Sequence, residues 1–247
     1  MSRVFVDHSE ASVERTRWRT LAVFGHTFSC SARVVGRAAA GRLSPRSVDA
    51  VVDRWCGHVF RLSKTTLTAE GLDRFDPHQP YVLLSNHRSL LDIPAICATF
   101  PGRVRFVAKA ELRKVPMFGR AMAEAGIIFV DRNDRARAIE ALSHVDHLAE
   151  SGSSLWIAAE GGRSADAGLG PFKKGPFHVA MQLGVPILPT WIVGTDDVIP
   201  AGSLVSVTGQ RVHVTYGEPI PTEGADLPTL MASARTALEA LRATAPR

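Results

Sequence analysis

From residue 64 onward, short apolar runs alternate with longer segments of helical period, and this alternation limits the fold more than any other feature of the chain. The runs fall at 65–68, 81–84, 104–108, 126–130, 154–159, 187–193, 205–207 and 212–216. Segments suited to helices stand between and after them, at 93–99, within 111–125, at 134–150, 177–183 and 227–243. Such alternation predicts an α/β fold, a mixed, largely parallel sheet flanked by helices. In folds of this kind active sites gather outside the carboxyl ends of the strands. No repeat or low-complexity tract interrupts the 247 residues, so one catalytic domain over 65–247 accounts for the pattern.

Residues 1–64 differ from the rest. They hold eleven Lys or Arg against five Asp or Glu, whereas the remainder holds eighteen against nineteen. All of the net charge of +5 therefore comes from the first quarter. This segment reads as an N-terminal two-helix appendage broken near Gly41 to Pro45, with Trp18, Phe24 and Phe28 among Arg15, Arg17, Arg19, Arg33 and Arg37. Its longest uncharged stretch, 20–32, would span about 20 Å as a helix, short of the ~30 Å hydrocarbon core. A basic helix carrying aromatic residues suits the headgroup layer of an anionic membrane, and it can pack on the domain as well. The expectation is a peripheral protein on the cytoplasmic, inner face of a membrane. Arg3, Asp7, Glu10 and Glu14 interrupt any signal-peptide pattern, and the dispersed Cys30, Cys56 and Cys97 suit a reducing compartment. Nucleic acid is not an expected partner, because the basic excess lies among Trp and Phe and no recognition motif accompanies it.

The most informative stretch is YVLLSNHRSLLDIP, Tyr81 to Pro94. A buried strand runs out at Ser85, and Pro94 belongs in the first turn of the next helix. His87 and Asp92 thus share a strand-to-helix turn, where the carboxylate can reach the imidazole and make it a general base. The plainer alternative is a surface His beside a helix capped by Asp92. Three further strand ends carry polar residues: Asp131-Arg132-Asn133, then Glu160-Gly161-Gly162-Arg163-Ser164 ahead of Lys173-Lys174, and Val185-Pro186 around a strand start. Arg132 and Arg163 offer bidentate donors to phosphate or carboxylate, and the glycines admit an anion to the backbone. Taken singly these are a surface ion pair, a turn and a buried strand.

NHRSLLD, GIIFVDR, EGGRS and VPILP, in this order, resemble the four motifs of the glycerolipid acyltransferases, of the 1-acyl-sn-glycerol-3-phosphate type. The resemblance runs over roughly 66–218 and takes in AKAEL, VPMFG and FKKG. It implies that His87 takes the proton of an acceptor hydroxyl while Asp92 orients the ring, with no covalent acyl-enzyme. The acyl donor is then acyl-CoA or acyl carrier protein, used as co-substrate without any cofactor or metal, and the acceptor a lysophospholipid. Arg132, Glu160, Gly161 and Arg163 match acceptor-binding positions, Pro186 a site-lining one, and Lys109 is a candidate to stabilise the oxyanion. An imidazole of ordinary pKa, roughly 6.5, is mostly neutral at pH 7 and ready to accept. Where the family reads FPEGTRS, this chain has Ala158, Ala159 and Gly162, which alters the acceptor side and leaves room for another acceptor such as lyso-ornithine lipid. A non-catalytic membrane-binding protein on the same scaffold is the rival of a different class. A serine hydrolase lacks its GxSxG elbow, and His144 with His147 reads as a solvated helix face, not a zinc site.

Overall fold

Along β4 (Val82–Ser85) successive side chains go to opposite faces of the sheet, Leu83 into one core and Val82 and Leu84 into the other. A strand apolar on both faces needs cover on both, which is the condition of a central strand in an α/β fold. The computed structural model describes the chain apart from residues 1, 132–133, 135–140, 143–144, 165–167, 201–202, 204 and 247, and the side chain of residue 147.

Among the described residues eight strands form the main sheet, in the order β1-β3-β10-β8-β4-β7-β5-β6. Here β1 is Arg3–Val6, β3 Thr66–Glu70, β5 Arg103–Lys109, β6 Ile128–Val130, β7 Ser153–Ala158, β8 Ile187–Val193 and β10 Arg211–Tyr216. From β8 to β6 every pairing is parallel. Strand β10 runs antiparallel to β8 and parallel to β3, and β1 is antiparallel to β3. The mixed, largely parallel sheet is therefore observed. Three strands differ from expectation. Residues 205–207 do not join the sheet; β9 (Ser206–Val207) pairs with β2 (Arg15–Thr16) in a separate ribbon. Neither β1 nor β2 had a counterpart in the sequence reading, and β1 ties the N-terminal segment into the sheet edge.

Helices cover both faces. Val59 and Phe60 of α2 (Pro45–Leu62), Ala95 and Ile96 of α3 (Asp92–Thr99) and Met122 of α4 (Phe118–Glu124) share one core with Leu83 and Trp156. On the other face Leu148 of α5 (Asp146–Glu150), Phe177 and Ala180 of α6 (Gly175–Leu183), and Leu230, Leu238 and Leu241 of α8 (Leu227–Thr244) pack with Val82, Leu84 and Ile157. Each fully buried Leu or Phe contributes about 1.5–3 kcal/mol relative to exposure. Residues 135–140 and 143–144 of the helix expected over 134–150 lie outside the described residues.

The expected helical pair is present as α1 (Arg17–Ala39) and α2. Pro45 sits in the first turn of α2, and Ser44 and Ser47 form a reciprocal capping box, so this helix start is written locally. The Trp55 indole N–H donates to Thr27 Oγ1 at 2.9 Å and joins the two helices. Val34 and Val35 of α1 pack on Ala121 of α4. Among the described residues no helix is long and apolar enough to cross a membrane.

Candidate active site

The five parallel strands end on one rim, and polar residues that follow β4, β7 and β8 meet there. Beyond β4 the chain turns through Asn86, His87, Arg88 and Ser89 into α3, whose first residue is Asp92. The Asp92 carboxylate does not cap forward into its helix. It reaches back, where Oδ2 accepts from His87 Nδ1–H at 2.7 Å, Arg88 N–H at 2.7 Å and Ser89 N–H at 3.0 Å. Thr195 donates its hydroxyl to Oδ1. Asp92 is 0% exposed and His87 only 7%. A carboxylate so buried is tolerable only because four donors answer it.

Below the imidazole lies Trp156 of β7, its ring edge-on to His87 with centroids 5.2 Å apart. Its indole N–H donates to Ser85 Oγ at 2.8 Å, and Ser85 in turn donates to the Asn86 carbonyl at 2.6 Å. The Asn86 amide pairs both ways with the backbone of Ile192 in β8, at 2.8 and 2.9 Å. Gly194 follows β8 at φ +83°, where a Cβ would stand 2.0 Å from the Arg211 carbonyl oxygen, so only glycine makes this turn. It opens α7 (Thr195–Val198), whose Asp196 holds the Arg88 guanidinium at 2.7 Å. Burial and then Asp196 push the neighbouring Asp197 carboxyl up, with Arg88 pulling the other way.

The loop after β7 closes on the same place. Ala159 N–H donates to the Ser85 carbonyl at 2.8 Å and Ser164 N–H to the His87 carbonyl at 2.9 Å. Glu160, Gly161 and Arg163 are thereby brought to the rim beside His87, with Arg163 exposed. Gly161 takes φ +74°, and a Cβ there would meet Lys173 Cγ at 2.8 Å. The space beside Gly161 is thus filled by the stem of a lysine from the same loop. Arg235 of α8 holds that loop from behind, donating to the Gly170 carbonyl at 2.7 Å and lying 4.2 Å over the Phe172 ring.

Lys109 ends β5 on this rim, two strands from β4, with its ammonium 3.0 Å from Glu111. The Glu111 backbone N–H and then Lys109 hold that carboxyl below its ordinary range. Arg132 lies outside the described residues. Pro186 is not brought to His87. Its carbonyl accepts from Val82 N–H at 3.0 Å, which puts it at the amino rim, about 13 Å away along the length of β4. His144 lies outside the described residues, as does the side chain of His147, and no metal-binding cluster occurs among the described ones.

Sequence reasoning missed Asn86, Trp156, Thr195 and Asp196. Asn86 adjoins His87 in the motif, and its type alone announced a polar contact. The others lie 64 or more residues further on, and only strand order reveals them.

This geometry can be set beside known proteins. The chain is 36% identical over 177 residues to 1-acyl-sn-glycerol-3-phosphate acyltransferase alpha of Bos taurus, covering 70% of this chain and 61% of that protein. It is 37% identical over 148 residues to the 1-acyl-sn-glycerol-3-phosphate acyltransferase of Saccharomyces cerevisiae, covering 59% of this chain and 48% of the yeast protein. The chain thus spans less than two thirds of the length of these curated relatives. The crystal structure of the 1-acyl-sn-glycerophosphate (LPA) acyltransferase PlsC from Thermotoga maritima superposes with a TM-score of 0.70 at 25% identity, over 94% of this chain and 100% of that one. The family described as Acyltransferase matches residues 66–193, from the first residue of β3 to the last of β8 and more than half of the sequence. By that match the chain belongs to the acyltransferase family.

Proposed function

We propose that the protein transfers a fatty acyl group from an acyl thioester to the free hydroxyl of a lysophospholipid, with 1-acyl-sn-glycerol-3-phosphate as acceptor and phosphatidate as product. The observation that carries this reading is the His87–Asp92 pair on the carboxyl rim, with the 160–164 loop bonded to the His87 backbone. With Nδ1–H given to Asp92, Nε2 keeps the lone pair. It takes the hydroxyl proton as the acceptor oxygen attacks the thioester carbonyl. The imidazolium, steadied by Asp92, then returns that proton to the departing thiolate, so an ester forms, a thioester breaks and the thiol leaves neutral. Arg163 and, by its place after β6, Arg132 grip the acceptor phosphate, with Glu160 and Gly161 shaping the loop and Lys109 near the developing oxyanion. CoA or acyl carrier protein supplies the acyl group. The relatives' names support the acceptor, and the retained charged residues of the four motifs support the chemistry.

The protein works at the cytoplasmic face of a membrane. Trp18, Leu21, Phe24 and Phe28 are all exposed on α1, Trp18 to 75%. At ~100° per residue they fall within about 120° of one another. A face of that composition on a basic helix lies in the headgroup layer, and it delivers a lipid acceptor without leaving the membrane.

Purified protein, labelled acyl-CoA or labelled acyl carrier protein, and vesicles carrying one lysolipid at a time provide the test, with lysophosphatidate and lyso-ornithine lipid in the panel and products resolved by mass. Label is expected in phosphatidate, and lost with His87→Ala. Transfer to no lysolipid from either donor, or full transfer by the His87 variant, would overturn the reading.

A further inference from the structure

The two oxygens of Asp92 are unequally held. Oδ2 takes three donors, from His87, Arg88 and Ser89, while Oδ1 is met by the Thr195 hydroxyl. A carboxylate anchored through one oxygen can still rotate about its Cβ–Cγ bond. Fixing the second oxygen sets its plane, and the plane sets the direction of the Oδ2 lone pair that receives Nδ1–H. The imidazole follows, and with it the line along which Nε2 meets a hydroxyl. Proton transfer depends on that line to within a fraction of an ångström.

The residue that sets it is itself fixed. Thr195 is 1% exposed. The segment 192–196 is tied to 86–92 at three places: Ile192 to Asn86, Asp196 to Arg88, and Thr195 to Asp92. The outer two ties hold the strands of this knot in register and leave the hydroxyl one acceptor. Thr195 also lies just past residue 193, where the match to the family ends.

We propose that Thr195 is a positioning residue for the general base, its hydroxyl fixing the plane of the Asp92 carboxylate and so the aim of His87. This rests on His87 being the base, and it adds a requirement for a side chain outside the family's matched span. Valine keeps the shape of threonine and removes the donor, leaving Oδ1 buried without a partner. Serine restores the donor and removes only a methyl group.

Full-length protein is assayed for acyl transfer as wild type, Thr195→Val, Thr195→Ser and His87→Ala, with circular dichroism melts of each. Thr195→Val is expected to lower kcat about 10- to 100-fold, the effect of losing one hydrogen bond to a charged buried group. The KM of acceptor and donor should stay within about twofold, because neither substrate touches Thr195. Thr195→Ser should keep kcat within about threefold of wild type. A Val variant with wild-type kcat overturns the proposal. So does a Ser variant as slow as Val, which would assign the effect to packing of the methyl group. If Thr195→Val does not fold, Thr195→Ala against Thr195→Ser carries the same contrast. An active His87→Ala variant removes the underlying reading itself, whereas an inactive one beside an unimpaired Thr195→Val removes only the positioning role.

Discussion

The turn around His87 and the outer face of α1 invert the usual arrangement of side chains in opposite senses. At the turn, His87, Asp92, Asn86 and Thr195 are buried polar groups, and Asp92 and Asn86 find their partners within the chain. On α1, Trp18, Leu21, Phe24 and Phe28 leave more than half of their surface exposed. The first inversion is balanced internally, by charge-assisted hydrogen bonds that offset desolvation. The second finds no such balance among the described residues, and the proposed membrane contact is what supplies it. A part that must keep its geometry is closed on itself, and the part proposed to meet a membrane is left open.

The largest expected effect breaks the closed region. His87→Ala should cost about 10²- to 10⁴-fold in turnover, the contribution of one placed base, with an unchanged circular dichroism spectrum. A variant slower by less than about tenfold would make the knot a structural device. Next, the open region: Trp18→Ala combined with Phe28→Ala should weaken binding to anionic vesicles about 10- to 100-fold, from the apolar area withdrawn. Co-sedimentation reads this, and turnover on detergent-dispersed acceptor should not change. Arg163→Ala probes the exposed charge beside the knot. It should lower kcat/KM for a phosphate-bearing acceptor about tenfold while sparing the KM of the donor, as steady-state kinetics would show.

The smallest effect concerns pH, at the seam of α1 and α2. His26 stacks on His58 at 4.9 Å, with Cys30 Sγ 3.5 Å from its Nε2. Burial, and then His58 and Arg33, lower its pKa, while a hydrogen bond at the Arg54 backbone opposes them. The folded state thus favours neutral His26. That contribution is complete above the unfolded pKa of ~6.5 and is lost as pH falls through the lower folded value. Melting temperature should therefore drop by about 2 °C more between pH 7 and pH 5.5 in the wild type than in His26→Gln. Parallel curves would mean that the histidine pair carries no such linkage.

The closed region was legible where chemistry is local. Tyr81 to Leu84 announced a central strand by being apolar without alternation, and Pro94 fixed the start of α3, so the His87–Asp92 turn followed. Thr195 was not legible, because four residues of helix after a strand carry no period and its partner stands 103 residues away. Pro186 shows a different gap. Two motifs on neighbouring parallel strands meet only if they flank the same strand ends, and Pro186 precedes its strand where His87 follows one. The strand order decides that, and periodicity is silent on it. The open face of α1 was half legible: Trp18, Phe24 and Phe28 were evident as residues, but which of them the domain would cover depended on α4, whose contact with Val34 and Val35 lies further along the helix.

Strand β4 sits between β7 and β8, although those strands follow it by some 70 and 100 residues. On the ribosome, His87 and Asp92 emerge early and have no function yet. Trp156 comes later, and the hydroxyl that completes the Asp92 shell comes only after β8 has left the exit tunnel and inserted beside β4. Such long-range pairing is slow to form. Under the proposed mechanism, turnover therefore reports on the folding of the whole sheet, and chains that stop before residue 195 carry the motif without the Asp92 partner proposed to aim His87.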